Sequence, residues 1–119
     1  MSILIVDDDP AIRTMLVDLL EDEGHVVSSA ANGQEALTYL QRAANRPQLI
    51  LLDLMMPLMD GWQFRTLQRQ DPELAPIPVI VLSAGENLKR AAATLAADAY
   101  FAKPVDFDAL LRTVALFCP

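Results

Sequence analysis

Short apolar runs alternate along the chain with stretches whose apolar residues recur at helical spacing. Ile3-Leu4-Ile5-Val6 is an apolar, β-prone run that stops at three aspartates, Asp7, Asp8 and Asp9. From Pro10 onward Ile12, Met15, Leu16, Leu19 and Leu20 fall at i, i+3, i+4, i+7 and i+8, one face of a helix. Asp9 before Pro10 reads as an N-cap followed by proline at the first helical position, and Gly24 as the stop. Val26-Val27 starts a second strand. Asn32-Gly33-Gln34-Glu35 has the form of a capping box opening a helix through about Ala44, which ends before Pro47. Leu49–Leu52 is a third strand ending at Asp53, and after the loop Leu54–Asp60 a helix runs from about Gly61 to Gln70. Val79–Leu82 is a fourth strand ending at Ser83. Leu88, Ala91, Ala92, Leu95 and Ala96 repeat the helical spacing. Ala99-Tyr100-Phe101 is a fifth strand before Lys103-Pro104, and Phe107, Leu110, Leu111, Val114 and Phe117 mark a closing helix.

The pattern amounts to five strand–helix units. Strands that are apolar without alternation predict a parallel sheet covered on both faces, an α/β architecture. A length of 119 residues fits one domain, so residues 1–119 are read as a single domain with no output domain within them, either stand-alone or part of a longer regulator.

Charge changes the picture through its location. Residues 1–60 hold ten acidic and three basic side chains, whereas residues 61–119 hold six of each, so the whole net charge of −7 lies in the first half. No basic stripe is present to neutralise phosphates, which argues against nucleic-acid binding. One cysteine, Cys118, and one histidine, His25, exclude a Cys-rich or multi-His metal site. No run approaches the ~18 apolar residues of a membrane span and the chain start has no signal-peptide pattern, so a cytoplasmic protein away from the membrane is expected.

The polar residues that need explaining all follow strands: Asp7 and Asp8 the first, Asp53 the third, Ser83 the fourth, Lys103 the fifth. In an open α/β sheet, ligands bind outside the carboxyl ends of the strands, and parallel pairing brings these side chains to that one edge. Clustered carboxylates raise one another's pKa unless a cation compensates. A set of oxygen donors without His or Cys suits a hard ion such as Mg²⁺.

VDDD with Asp7 and Asp8, LLDLMMPLMDG with Asp53, LSA with Ser83 and YFAKP with Lys103 together resemble the receiver domain of two-component response regulators, over Ile3 to about Phe117. The resemblance implies a doubly wound, flavodoxin-like (βα)5 fold with strand order 2-1-3-4-5. It implies a phosphorylation-activated switch of a phosphorelay rather than a turnover enzyme. Asp53 would accept the phosphoryl group from a sensor histidine kinase, a histidine phosphotransfer protein or a small phosphodonor. Asp7, Asp8, Asp53 and the backbone carbonyl of Met55 would hold Mg²⁺. Ser83 and Lys103 would each meet a phosphoryl oxygen, and Tyr100 would turn inward when Ser83 moves. The peptide bond before Pro104 is expected to be cis. The surface from about Glu86 to Phe117 would meet an output domain or target protein, with phosphorylation-dependent dimerisation a further expectation.

Two other readings compete. One is a receiver-fold interaction module that does not use phosphate; it is disfavoured because the acidic pair, the acceptor and the lysine are all present. The other is a hydrolase passing through an aspartyl phosphate, which would place a second aspartate two residues past the first, where this chain has Met55.

Overall fold

The structure, a computed structural model, describes residues 2–85 and 87–119. Five parallel strands, β1 (Ser2–Val6), β2 (Val26–Ala30), β3 (Leu49–Asp53), β4 (Val79–Ser83) and β5 (Ala99–Ala102), form one sheet of order β2-β1-β3-β4-β5. Between and after them run α1 (Pro10–Asp22), α2 (Gly33–Arg42), α3 (Gly61–Gln70), α4 (Leu88–Thr94) and α5 (Phe107–Phe117). This is the doubly wound (βα)5, flavodoxin-like α/β fold.

Strand parity divides the core. Leu4, Val6, Ile50, Leu52, Val79 and Val81 face one side and pack with Leu37 and Leu40 of α2, Phe64 of α3 and Leu88 of α4. Ile3, Ile5, Leu49, Leu51, Ile80 and Leu82 face the other and pack with Leu16 and Leu20 of α1 and Leu110 and Val114 of α5. Burial on both faces is why the central strands read as continuous apolar runs. The edge strands β2 and β5 are only partly covered, and β5 alternates between half-buried and exposed positions.

Helix ends follow the sequence signals in part. Asp9 caps α1 as expected, accepting from the N–H groups of Ala11 and Ile12, with Pro10 in the first turn. At α2 the Asn32 side chain accepts from Glu35 N–H, but the Glu35 carboxylate accepts from Ala31 N–H rather than closing the box on Asn32. The helix also ends at Arg42, capped by Ala43, before the expected Ala44. The complete reciprocal box lies instead at α3, between Asp60 and Gln63. In α1 only Leu16 and Leu20 of the predicted stripe are fully buried, and Met15 is exposed. Glu21 and Asp22 finish α1 and Glu23 caps it, whereas α2 and α5 carry Glu35 and Asp108 in their first turns, where negative charge meets the positive helix end.

The end of α4 is the largest difference. The helix stops at Thr94, and Ala96, read from sequence as a helical stripe residue, is exposed at φ +53. Ala96 N–H donates to Ala93 and Ala97 N–H to Ala92, the paired bonds of a Schellman ending. The end of α1 has the same arrangement, Gly24 N–H to Glu21 and His25 N–H to Leu20, with Gly24 at φ +91. Glycine takes that conformation freely, whereas an L-residue is strained there by about 1 kcal/mol. Ala96→Gly is therefore expected to raise stability by about 1 kcal/mol, read as an increased denaturant midpoint at unchanged slope. Among the described residues no helix is long and apolar enough to cross a membrane.

Candidate functional site

Parity also builds the site. Asp53 closes β3 on the side of Leu49 and Leu51, and Asp7 and Lys103 continue the alternation of Ile3-Ile5 and Ala99-Phe101 onto the same side. Ser83 ends β4 in step with Val79 and Val81, on the opposite face. The register sets Asp53 beside Leu82 and Ser83 beside Ala102, so all these residues share the carboxyl edge of the sheet.

Asp7, Asp8 and Asp53 each offer a carboxylate oxygen, and the three lie within 4.8 Å of one another. Asp7 and Asp53 are buried, with side chains 2% and 6% exposed, while Asp8 is open to solvent. Lys103 Nζ donates to Asp7 Oδ2 at 2.9 Å and lies 3.5 Å from Asp53 Oδ2. Asp7 is also held by Asp9 N–H on Oδ1 at 2.9 Å, by its own N–H on the Ala30 carbonyl at 3.1 Å, and by Arg13, which donates to the Asp7 carbonyl at 2.7 Å. Met55 N–H donates to Asp53 Oδ1 at 3.3 Å. The Lys103–Pro104 peptide bond is cis.

The electrostatics follow from this geometry. Burial, then the charge of Asp7, pushes the Asp53 carboxyl from its ordinary 3.8 up to about 6, against the lowering effects of Lys103 and the Met55 N–H bond. Burial works against the Lys103 ammonium, but its bond to Asp7 and the charge of Asp53 outweigh that and raise its pKa. One ammonium therefore does not neutralise three carboxylates, and the cluster remains short of positive charge. Its donors are hard oxygens that converge within one ion's reach, so the residues fit Mg²⁺.

Not every expected residue converges. The Ser83 hydroxyl is buried and donates to the neighbouring Ala84 carbonyl at 3.4 Å, not to the cluster. Tyr100 is 43% exposed and turned outward on edge strand β5. Met55 lies beside the cluster through its main chain, its N–H on Asp53 Oδ1, while its side chain is exposed. Of the expected partner surface, Glu86 lies outside the described residues, and the remainder from Asn87 to Phe117 comprises α4, β5 and α5.

Gly61, at the start of α3, supports the site directly. Its N–H donates to the Leu54 carbonyl at 3.0 Å, and a Cβ there would lie 2.6 Å from the Asp53 carbonyl oxygen and 2.7 Å from Leu54 Cα. Both are main-chain atoms that cannot step aside. Gly61→Ala is expected to cost about 2 kcal/mol and to shift the Asp53 backbone, visible as loss of denaturation midpoint together with weakened Mg²⁺ binding. The signal available in the sequence was Asp60 three residues before Gln63, a capping-box spacing that brings the helix start onto the loop.

Comparison with known proteins places the sequence and the fold in one family. Residues 3–115 match the response regulator receiver domain family. The chain is 38% identical over 120 residues to sporulation initiation phosphotransferase F of Bacillus subtilis, covering 99% of this chain and 94% of that protein. It is 39% identical over 114 residues to response regulator Rre1 of Synechocystis, covering 92% of this chain and 48% of that protein. It thus spans nearly all of one relative and about half of the other. The structure superimposes on the chemotaxis response regulator CheY4 of Vibrio cholerae with a TM-score of 0.87 at 31% identity, over 98% of this chain and 97% of that one. The chain belongs to the response regulator receiver domain family of two-component signalling.

Proposed function

We propose that residues 1–119 act as one receiver domain whose switch is set by a phosphoryl group on Asp53. The observation that carries this reading is the convergence of Asp7, Asp8 and Asp53 oxygens within 4.8 Å, with Lys103 at 2.9 and 3.5 Å, at the carboxyl edge of a parallel sheet. Receiver domains generally bind Mg²⁺ at an acidic pocket, partner with histidine kinases or phosphotransfer proteins, and serve as switches, mostly without turnover.

In this reading the Asp53 carboxylate is the nucleophile. The donor's P–N bond, or P–O bond in a small phosphodonor, breaks as a P–O bond to Asp53 forms. The leaving imidazole or carboxylate departs with its electron pair. Asp53 needs no base, since a carboxyl of pKa about 6 is mostly ionised at pH 7. Asp7, Asp8, Asp53 and the Met55 carbonyl would hold Mg²⁺, which supplies positive charge to the transferring oxygens when bound. Lys103 stabilises the same developing charge, and Asp7 keeps it aimed. The Ser83 hydroxyl leaves Ala84 to bond a phosphoryl oxygen, and Tyr100 turns in from its exposed position behind it. These movements alter the surface of α4, β5 and α5 through which an output domain, a target protein or a second copy would be engaged.

Incubation with acetyl phosphate and Mg²⁺, followed by intact mass measurement, tests this. One phosphoryl adduct in the wild type that is absent in Asp53→Asn supports the switch. No adduct refutes it, and rapid multiple turnover of acetyl phosphate points to a hydrolase instead.

A further inference from the structure

Among the buried polar side chains, one charged group takes no part in the acidic site. Arg65, on the inner side of α3, is 6% exposed. Its Nε donates to the Leu95 carbonyl at 3.0 Å and one terminal nitrogen to the Ala96 carbonyl at 2.9 Å. The other donates to Gln68 Oε1 at 2.7 Å. Gln68, itself fully buried, passes its amide hydrogens to the carbonyls of Leu74 and Ile77, both at 3.0 Å. The guanidinium thus closes the C-terminal end of α4 from a neighbouring helix, where carbonyls lack intrahelical donors and the helix dipole is negative. Asp98 braces the same turn, its N–H donating to the Val79 carbonyl at 2.9 Å and its carboxylate accepting Val79 N–H at 2.8 Å.

Among the described residues, the other end of α4 has no comparable side-chain hydrogen bonding. Asn87 makes no side-chain cap bond. Before it in the chain, Ala84 and Gly85 are exposed, Gly85 at φ +155, and they follow directly from Ser83. The helix is tied by hydrogen bonds at its far end, whereas at the end nearest the switch serine it is seated by the apolar packing of Leu88.

We propose that Arg65 is the pivot of α4, holding the Leu95–Ala96 end on α3 so that displacement of Ser83 is taken up as a swing of the helix's first turn. This rests on the phosphorylation reading above and names the positioning residue through which it is expressed. The role needs arginine: three acceptors lie around one planar fork, and a lysine ammonium on its flexible stem does not span them. Arg65 touches no reacting atom and acts only by fixing where the motion ends.

Residue-resolved amide hydrogen exchange on the full chain tests the pivot, with and without Mg²⁺ and acetyl phosphate, and with intact mass taken on the same samples. In the wild type, phosphorylation is expected to change exchange across Leu88–Ala91 while leaving Leu95, Ala96 and Ala97 within about twofold. Without phosphodonor, Arg65→Met is expected to speed exchange at Leu95–Ala97 about tenfold, with Arg65→Lys close behind. On phosphorylation, the response in Arg65→Met extends to those residues. A wild-type response as large at Leu95–Ala97 as at Leu88–Ala91 overturns the pivot, as does an Arg65→Met response still confined to the first turn. The wild-type comparison decides the point even where Arg65→Met fails to fold. An adduct with a uniform α4 response removes the pivot alone, whereas absence of any adduct removes the switch and the pivot with it.

Discussion

Lys103→Met is expected to destabilise the fold by about 2–4 kcal/mol at pH 7, measured by denaturant unfolding. The ammonium lies 2.9 Å from Asp7 and 3.5 Å from Asp53, whose side chains are almost wholly removed from water. Replacing it with an apolar group leaves two buried carboxylates facing each other without compensation. The protein then responds by binding a proton, so the Asp53 pKa rises above its present value of about 6. The loss should therefore be larger at pH 7 than at pH 5, and Mg²⁺ should recover part of it. A loss below about 0.5 kcal/mol, the range of ordinary surface changes, would show that the lysine is a peripheral charge. Phosphorylation by acetyl phosphate should fall in the same variant, since the charge that meets the transferring oxygens is gone.

Asp53→Asn is expected to do the reverse to stability while abolishing the adduct. An acid whose folded-state pKa is raised has its ionised form penalised in the native protein. Between the ordinary 3.8 and about 6 the native state holds a proton that the unfolded chain has released. Stability therefore falls as pH rises through that window and stays level above it. The asparagine has no charge to penalise. At pH 7 without Mg²⁺ it should be more stable by about 1–2 kcal/mol, and its stability should be flatter between pH 4 and 6. Added Mg²⁺ should narrow the gap, because the ion stabilises the carboxylate form by binding it. Equal stabilities across the pH range would mean that Asp53 is well solvated in the folded protein.

Most of the fold was legible because the core strands carry no polar interruptions. Ile3–Val6, Leu49–Leu52 and Val79–Leu82 read as buried parallel strands, and each ends where a chemical residue begins. That coincidence also made the acidic edge legible, since parallel strands deliver their carboxyl ends to one side. What sequence does not carry is the long-range pairing: Lys103 and Asp7 are 96 positions apart, and only the sheet order makes them partners. Arg65 was illegible for a related reason. An arginine on an amphipathic helix reads as a solvated charge, and its burial comes from the end of α4 docking against it. Ala96 misled because alanine is the best helix former, so the Schellman ending that glycine marks at Gly24 had no signal there. The Asn32–Glu35 spacing was present, but the carboxylate found the N–H one residue earlier.

The central claim is that one carboxylate, Asp53, carries the phosphoryl group. Borohydride reduction of the acetyl phosphate-treated protein converts an acyl phosphate to an alcohol, and peptide sequencing by mass spectrometry then locates it. The account predicts a single reduced side chain at position 53, formed only when Mg²⁺ is present. Reduction at Asp7 or Asp8, or a phosphoryl group found intact on Ser83 or His25, would contradict it.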